Sequence, residues 1–164
     1  MSASSSNTQD ASEFAPDGLT ASFDRTARIW NAESGNEIAV LKGDTEPLLS
    51  AAFSGDGKRV LTNSSDSTAR IWEPESGKEP GVLKGHTESL LTAAFSGDGK
   101  RVVTGSFDKT ARIWDVESGK QIAVLKGHRG PVFGAVSGDG KRAVTISDGI
   151  ARIWDCGQRR GNRE

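Results

Sequence analysis

One tetrapeptide, Ala-Arg-Ile-Trp, occurs four times in the chain and constrains its fold more than any other feature. Its tryptophans are Trp30, Trp72, Trp114 and Trp154, which lie 42, 42 and 40 residues apart. The strings Leu-Lys-Gly, Ser-Gly-Asp-Gly-Lys-Arg and Glu-Ser-Gly recur in fixed order with it. Self-similarity at such a period is typical of arrays that repeat one supersecondary unit. We therefore interpret the chain as four units of one structure.

Each unit contains strand-length apolar segments that are separated by turn residues. In the third unit these segments are Leu90–Ser96, Arg101–Phe107, Thr110–Val116 and Lys120–Lys126. An Asp-Gly pair follows the first segment and suits a tight hairpin, and Gly119 suits the turn after the third. Because no segment has helical apolar spacing over ten or more residues, the pattern predicts four-stranded antiparallel sheets and no helix.

The predicted sheets carry apolar or small residues on both faces. Alternation along the third strand places Arg112 and Trp114 on one face. Ala111 and Ile113 lie on the other face. A sheet of this kind must be covered on both sides, and blades stacked around an axis, as in a β-propeller, cover it in that way.

These residues resemble the WD-repeat (Trp-Asp repeat) family, in which Gly-His is followed by Trp-Asp after roughly 25–30 residues. Here Gly85-His86 pairs with Trp114-Asp115, and Gly127-His128 pairs with Trp154-Asp155. The chain looks most similar to bacterial WD arrays. The resemblance implies an all-β array of β-propeller blades over residues 14–156, about four in number, with the first and last incomplete. It divides the array into repeats at about 14–43, 44–85, 86–127 and 128–156.

The two ends of the chain are polar. Residues 1–13 predict a disordered N-terminal tail, and residues 157–164 predict a C-terminal tail. Aligning Phe14–Gly18 with Phe95–Gly99 leaves three residues missing before Thr20, which predicts a shortened second strand. The segment before Phe14 does not have the pattern of a first strand, and the last repeat lacks a fourth. The expected tally is therefore three, four, four and three strands.

Such an array has three outcomes that the sequence leaves open. It could be part of a longer array, or it could pair with a second copy into an eight-blade ring with three-stranded blades at the seams. It could also stay open and expose an apolar blade face at each end. We favour self-association or a truncated gene product over a closed monomer.

The resemblance also implies a hydrogen-bonded tetrad of His, Ser or Thr, Asp and Trp in each complete blade. A buried indole N–H needs an acceptor, and a hydroxyl can accept from it while bonding to His. In the third repeat the candidates are His86, Thr104 or Ser106, Asp108 and Trp114. In the fourth they are His128, Thr145, Asp148 and Trp154. The first repeat keeps Thr20, Asp24 and Trp30.

The second repeat departs from the pattern. It keeps Thr62, Asp66 and Trp72, but Asp44 stands where the histidine is expected. Asp44 and Asp66 would then lie near one loop with no imidazole between them. Either the two carboxylates lie apart in water or the pKa of one of them is raised. We expect this blade to be less rigid than the third.

No residue set in the sequence indicates catalysis, a metal or a cofactor. Both histidines fall on tetrad positions, no His/Cys spacing fits a metal, and no phosphate-loop motif is present. Lys and Arg number 21 and Asp and Glu number 22, which argues against a nucleic-acid partner. No apolar segment is long enough for a membrane span, no signal peptide is recognisable, and Cys156 is the one cysteine. We therefore predict a cytoplasmic protein that is not an enzyme.

An arginine recurs two residues before each tryptophan, as Arg28, Arg70, Arg112 and Arg152. Such a ring of guanidinium groups could bind an acidic partner. We prefer the interpretation in which these arginines pack along blade edges with their stems on apolar surface.

We predict a non-catalytic protein-interaction scaffold with protein partners that the sequence does not identify. The candidate binding loops vary most between the near-identical repeats and comprise Thr45, Glu46, Pro47, Thr87, Glu88, Ser89, Arg129, Gly130 and Pro131. The alternatives are a regulatory or targeting fragment of a larger bacterial signalling protein, or a truncated gene product with no independent function.

Overall fold

The computed structural model describes residues 18–137 and 139–156, which form fourteen strands. The strands are β1 Gly18–Ala21, β2 Thr26–Trp30, β3 Glu37–Lys42, β4 Leu48–Phe53, β5 Val60–Ser64, β6 Ala69–Glu73, β7 Lys78–Leu83, β8 Leu90–Phe95, β9 Arg101–Ser106, β10 Ala111–Asp115, β11 Gln121–Leu125, β12 Phe133–Val136, β13 Arg142–Ser147 and β14 Ile150–Asp155. The predicted tails and the segment from Phe14 to Asp17 lie outside the described residues.

The strands form four antiparallel sheets in which each strand pairs with its neighbours in sequence. Sheet 1 contains β1–β3, sheet 2 contains β4–β7, sheet 3 contains β8–β11 and sheet 4 contains β12–β14. The expected all-β fold, with three, four, four and three strands in successive blades, is confirmed for the described residues. The segments predicted in the third unit were each one residue too long at one or both ends.

The recurring Ser-Gly-Asp-Gly-Lys-Arg string is a hydrogen-bonded turn. In the third unit Ser96 Oγ donates to Asp98 Oδ1 at 2.5 Å and accepts from the Arg101 amide at 3.0 Å. The same carboxylate oxygen accepts from the Lys100 amide at 3.0 Å. Gly99 has a φ of +68°, a left-handed conformation that favours glycine. The motif recurs because serine, aspartate and glycine each have a separate role in the same hairpin.

Each seam between successive sheets has the same two faces. The tryptophan of one sheet points to the preceding sheet, and the isoleucine directly before it on the same strand lies on the opposite face and points to the following sheet. Between sheets 3 and 4, for example, Val103 and Ile113 pack with Val132 and Ala143, and all four are buried. Equivalent clusters join sheets 1 and 2 and sheets 2 and 3. We call these two surfaces the Ile face and the Trp face of a sheet.

The outer sheets leave one face each without a neighbouring sheet along the described chain. On the Ile face of sheet 4, Ile153 is 78% exposed, whereas the equivalent Ile113 is fully buried. Trp30 on the Trp face of sheet 1 is half-buried, whereas the equivalent Trp72 and Trp114 are buried. The two outer sheets of the described chain therefore present two different apolar faces.

The alignment of Gly18 with a turn glycine was wrong. Gly18 lies in β1 directly opposite Trp30, and Thr20 lies opposite Arg28. In sheet 3, Thr104 lies opposite Arg112 in the same way, and Val102 lies opposite the tryptophan. The physical reason is the pairing with β2. The register that lets Trp30 donate to Thr20 also places Gly18 opposite Trp30, inside the strand.

The tetrad positions and the loops they hold

Sheet 3 brings all four types of tetrad residue together. Trp114 Nε1 donates to Thr104 Oγ1 at 2.8 Å, and that hydroxyl lies 2.8 Å from His86 Nε2. His86 Nδ1 lies 2.7 Å from Asp108 Oδ2. With the ring proton on Nδ1, the imidazole donates to the carboxylate and accepts from the threonine hydroxyl. The chain of hydrogen bonds then runs from the indole to the carboxylate without an unpaired member.

The charges in this tetrad are fixed by burial and hydrogen bonding. Burial lowers the pKa of His86, and the neighbouring Asp108 carboxylate only partly opposes that effect. Burial alone would raise the pKa of Asp108, but hydrogen bonds from Thr110 and His86 outweigh it and the pKa is lowered. A neutral imidazole beside a carboxylate follows at neutral pH, as the hydrogen-bond directions require.

Thr104, rather than Ser106, supplies the tetrad hydroxyl. Ser106 Oγ donates instead to the backbone carbonyls of Glu88 and Ser89, at 2.9 and 3.0 Å. Asp108 Oδ2 also accepts from the Thr87 amide at 3.2 Å. The tetrad and its neighbouring serine therefore hold the backbone of the loop before β8.

Sheet 4 joins three of its four candidate residues. Thr145 Oγ1 lies 2.7 Å from His128 Nε2 and accepts from Trp154 Nε1 at 2.7 Å. Within the described residues Asp148 makes no hydrogen bond to His128, and its carboxylate accepts from Ser147 Oγ at 3.3 Å instead. The turn here is one residue shorter than in the third repeat, and Ile150 stands where a threonine would hold the carboxylate.

Sheet 1 retains the part of the tetrad that its residues allow. Trp30 Nε1 donates to Thr20 Oγ1 at 3.0 Å. Asp24 Oδ1 accepts from the amide of Thr26 at 3.0 Å and from its hydroxyl at 2.7 Å. Asp24 thus holds the β1–β2 turn, and the tryptophan has its acceptor.

Sheet 2 fills the histidine position with an ion cluster. Arg70 Nη1 donates to Asp44 Oδ1 and, at 3.1 Å, to Asp66 Oδ2. It also lies 2.8 Å from Thr68 Oγ1, and Arg70 Nε lies 3.2 Å from Glu79 Oε2. The side chain of Asp44 is fully buried. We call Arg70, Asp44, Asp66 and Glu79 the Arg70 cluster.

Three carboxylates around one guanidinium change the titration of the cluster. Burial raises the pKa of Asp44 to about 6, against the opposing charge of Arg70, and the Asp66 and Glu79 charges raise it further. Burial would also raise the pKa of Asp66, but hydrogen bonds from Thr68 and the Arg70 charge lower it. Of the two alternatives stated for this pair of acids, the buried position of Asp44 beside Arg70 excludes two carboxylates that lie apart in water, and burial raises the pKa of Asp44. That the second blade is less rigid stays a prediction.

The guanidinium groups of the recurring arginines form hydrogen bonds, in addition to any packing of their stems. Arg28 Nη1 donates to Glu37 Oε2 at 2.7 Å, and Arg112 Nη1 donates to Gln121 Oε1 at 2.6 Å. Each partner is the residue nine positions later, on the outer strand of the same sheet. Arg152 donates to the Gly127 carbonyl at 3.1 Å. Arg28 and Arg112 therefore tie neighbouring strands together, whereas Arg152 binds a loop, and packing of the arginine stems alone does not describe these roles.

The comparison with known protein families agrees with this geometry. The WD40 family (WD domain, G-beta repeat) matches residues 35–73, 77–115 and 119–155, which together are more than half of the chain. The chain belongs to the WD40 family. Each matched segment covers the outer strand of one sheet and the first three strands of the next. A search of curated proteins found no match.

WD40 repeats generally serve as protein-interaction scaffolds, and they are typically non-catalytic. Among residues 18–137 and 139–156, no group of three or more His, Cys, Asp or Glu side chains is placed to hold a metal ion. The same part of the chain contains no helix that could span a membrane.

The candidate binding loops of this WD40 array lie at the end of the sheets where the tetrad aspartates lie. Their exposed residues are Thr45, Glu46, Thr87, Glu88, Arg129 and Pro131. Pro47 and Ser89 are half-buried, and Gly130 is buried against the Asp148 carboxylate.

Two exposed aromatic residues beside these loops were missed by the sequence analysis. Phe23 is 80% exposed on the β1–β2 turn, and Phe107 is 44% exposed on the β9–β10 turn. The Phe107 amide donates to the Ser89 carbonyl at 3.1 Å, which places this turn against the loop before β8. The sequence contained a signal for them. The second repeat has Ser65 at the position of Phe23 and Phe107, so the turn itself does not require phenylalanine there.

Proposed function

We propose that this WD40 chain is a non-catalytic scaffold that binds protein partners through its top surface. The top surface consists of the loops at 44–47, 86–89 and 128–131 and the turns at 22–25, 65–68 and 107–110. The observation that carries the proposal is the pair of exposed phenylalanines, Phe23 and Phe107, beside loops whose backbones are held by hydrogen bonds.

The loop backbones are held in both complete sheets. Ser64 Oγ donates to the Glu46 carbonyl at 3.1 Å, as Ser106 Oγ does to the Glu88 carbonyl. The side chains of both glutamates stay exposed. A surface whose backbone is ordered before binding loses less conformational entropy when a partner docks. These loops suit recognition for that reason.

The proposal of a non-catalytic role is supported by the state of the tetrad hydroxyl. Thr104 is fully buried, accepts from Trp114 and is directed at His86. A nucleophile must reach a substrate, and this oxygen has no open side toward the top surface. The Ser/Thr, His and Asp combination in the blade is therefore structural.

Replacing Phe23 and Phe107 together by serine is expected to weaken partner binding at least tenfold. Aromatic residues dominate binding hot spots, at about 2 kcal/mol or more each. Serine is the residue that the chain itself carries at the matching position of the second repeat, Ser65, so the fold is expected to be retained. The measurement is quantitative mass spectrometry of proteins that the immobilised chain retains from an extract of its source cells.

The matched control for this experiment is Ile122→Thr. Ile122 is exposed on β11, away from the top surface, and its replacement should leave retention unchanged. The proposal is wrong if the double serine variant retains the same proteins in the same amounts as the wild type, or if no protein is retained above an unrelated bait.

We also propose that the chain self-associates, with the Ile face of sheet 4 from one copy against the Trp face of sheet 1 from another. Three seams within the chain pair these two kinds of face. Phe133, Ile146 and Ile153 share the exposed Ile face of sheet 4, as the strand register shows. An exposed apolar surface of this kind favours association.

Ile153→Lys is expected to convert the associated chain to the mass of one chain in sedimentation experiments. A lysine charge at the centre of the Ile face would have to be desolvated without a partner. Ile122→Lys introduces the same charge elsewhere and should leave the mass unchanged. A wild-type chain that sediments as a monomer at every concentration tested would rule out self-association.

A further inference from the structure

Sheets 1 to 3 each hold a carboxylate at the same place, in the turn before the Trp-bearing strand. A threonine binds it through its backbone amide and its hydroxyl, and the three pairs are Thr26 with Asp24, Thr68 with Asp66 and Thr110 with Asp108. In sheet 4 the turn is one residue shorter, and Ile150 stands in the place of the threonine. The turn of sheet 4 therefore lacks the side chain that holds a carboxylate in the other three.

The donors that face this carboxylate come from three positions of the repeat. In sheet 3, Asp108 Oδ2 lies 2.7 Å from His86 Nδ1 and accepts from the Thr87 amide at 3.2 Å. In sheet 2, Asp66 Oδ2 accepts from Arg70 Nη1 at 3.1 Å. The positions are thus the tetrad histidine, the amide that follows it and the arginine two residues before the tryptophan.

Sheet 4 has residues of the same type at all three positions, His128, Arg129 and Arg152. His128 Nε2 lies 2.7 Å from Thr145 Oγ1, so its ring is held through the same nitrogen as the histidine of sheet 3. The threonine hydroxyl accepts from Trp154 and can donate its own proton to Nε2. The ring proton of His128 then lies on Nδ1, toward the place that Asp108 fills in sheet 3.

Asp148 does not supply the carboxylate of sheet 4. Within residues 18–137 and 139–156 it accepts from Ser147 Oγ at 3.3 Å and makes no hydrogen bond to His128. Its carboxylate lies against Gly130, where an added Cβ atom would be 2.5 Å from Oδ2. The two-residue turn therefore directs Asp148 to the loop before β12.

A cleft of about 300 Å³ lies where the carboxylate would be. His128, Arg129 and Arg152 line it, together with Asp148, and Ile150 supplies an apolar wall. Burial and the Arg152 charge lower the pKa of His128, so its ring is neutral at neutral pH. Two guanidinium groups and one carboxylate remain, and the cleft carries a net positive charge.

We infer that this cleft binds an acidic side chain of a protein partner, whose carboxylate takes the place that Asp108 fills in sheet 3. The His128 ring, the Arg129 amide and the Arg152 guanidinium donate to it, and charge-assisted hydrogen bonds of this kind are strong. The cleft adjoins the loop at 128–131 of the top surface, so a protein partner as the source of the carboxylate rests on the proposed function. The preference for a carboxylate rests on the cleft alone.

NMR spectroscopy of the full chain tests the inference, because the chain has two histidines and His86 is an internal reference. The probe is the capped tripeptide Gly-Asp-Gly, and capped Gly-Asn-Gly is its uncharged counterpart. The aspartate peptide should shift the His128 signals saturably and raise the pKa of this ring, since a nearby negative charge favours the imidazolium. The His86 signals should not move, and the asparagine peptide should move neither.

Two kinds of variant locate the binding. Arg152→Gln should weaken binding of the aspartate peptide at least about tenfold, because it removes a hydrogen bond between charged groups. Arg142→Gln, at the opposite end of β13, is the control and should leave binding unchanged. Replacing residues 148–150 by Phe-Asp-Lys-Thr, the sequence of residues 107–110, restores the chain's own carboxylate and should abolish binding. The same graft with alanine in place of its aspartate should retain binding, and circular dichroism shows that each variant is folded.

The inference is overturned if the aspartate peptide leaves the His128 signals unchanged, if Arg152→Gln binds it as tightly as the wild type, or if the two grafts bind it equally. It is also overturned if the His128 signals match those of His86 before any peptide is added, because the chain then fills the cleft with a carboxylate of its own.

The partner is tested separately with the immobilised chain and the cell extract. Arg152→Gln should retain less of the partner proteins than Arg142→Gln does, and equal retention refutes a partner's side chain as the ligand. The Phe23→Ser, Phe107→Ser variant should bind the aspartate peptide with unchanged affinity. If the wild type retains no protein but binds the peptide, the proposed function fails and the carboxylate site stands.

Discussion

Gly105→Ala is expected to lower the free energy of unfolding by about 3 kcal/mol, the upper end of what over-packing a core costs. Gly105 lies in β9, where sheet 3 meets sheet 4. A Cβ atom added there would overlap the backbone carbonyl oxygen of Val132 and lie 2.9 Å from its carbonyl carbon and 3.0 Å from Thr92 Oγ1. Because the obstacle is backbone, it cannot turn away as a flexible side chain would.

The same contact ties the two sheets together, which enlarges the expected effect. The Val132 amide donates to the Ser106 carbonyl at 3.0 Å, and the Gly134 amide donates to Thr92 Oγ1 at 3.1 Å. A methyl group on Gly105 pushes on the segment that makes both bonds. Urea unfolding should show a lower midpoint, and hydrogen exchange should show the protection of β12–β14 falling first.

Gly81→Ala is the control for this prediction. Gly81 lies in β7, and a Cβ atom added there would meet no heavy atom within 4 Å. We expect its free energy of unfolding to stay within about 0.5 kcal/mol of the wild type, because surface substitutions away from special features rarely exceed that. A Gly105→Ala midpoint equal to the wild type would mean that sheet 4 shifts at little cost and that the seam is loose.

The fold was predictable from the sequence because the same local signals recur from unit to unit. The Ser-x-Asp-Gly string forms a turn through its own hydrogen bonds, as at Ser96, and tryptophan ten residues after threonine places the two on paired strands. Apolar residues on both strand faces then require sheets on both sides. Each of these arguments concerns residues that are close in sequence or in a repeated register.

The site was only partly predictable, because its exceptions depend on contacts between distant residues. Arg70 reaches Asp44 across 26 positions, and no local pattern distinguishes it from Arg28, which points to an exposed partner. In sheet 4 a turn shortened by one residue moves Asp148 away from His128. The family pattern supplied the residue types, but turn length decided which of them meet.

Arg70→Leu is expected to lower the free energy of unfolding by about 3–5 kcal/mol at pH 8, the usual cost of removing one partner from a buried ion pair. Asp44 is fully buried, and Asp66 and Arg70 have side chains about one-tenth exposed. Without the guanidinium, two carboxylates face each other with no cation between them. Arg28→Leu is the matched control, and it should cost less than about 1 kcal/mol because its ion pair is exposed.

The free energy of unfolding that Arg70→Leu costs is expected to become smaller as the pH falls. This pH dependence separates a charge effect from a packing effect. The pKa of Asp44 is raised to about 6 in the folded chain, so the folded state binds this proton more tightly than the unfolded state. Its contribution to stability is therefore full below about pH 4 and declines as the pH rises to about 6. Removal of Arg70 raises the pKa of Asp44 further and extends the decline to higher pH.

Urea unfolding at pH 5 and pH 8 measures the free energy of unfolding of the wild type and of Arg70→Leu. The gap between the two proteins in this free energy should be wider at pH 8. Adding Asp44→Asn to Arg70→Leu removes the uncompensated charge and should narrow the gap at pH 8 by more than at pH 5. A gap that is the same at both pH values would show that Arg70 acts through packing alone. In that case the Arg70 cluster would be no electrostatic substitute for the tetrad histidine.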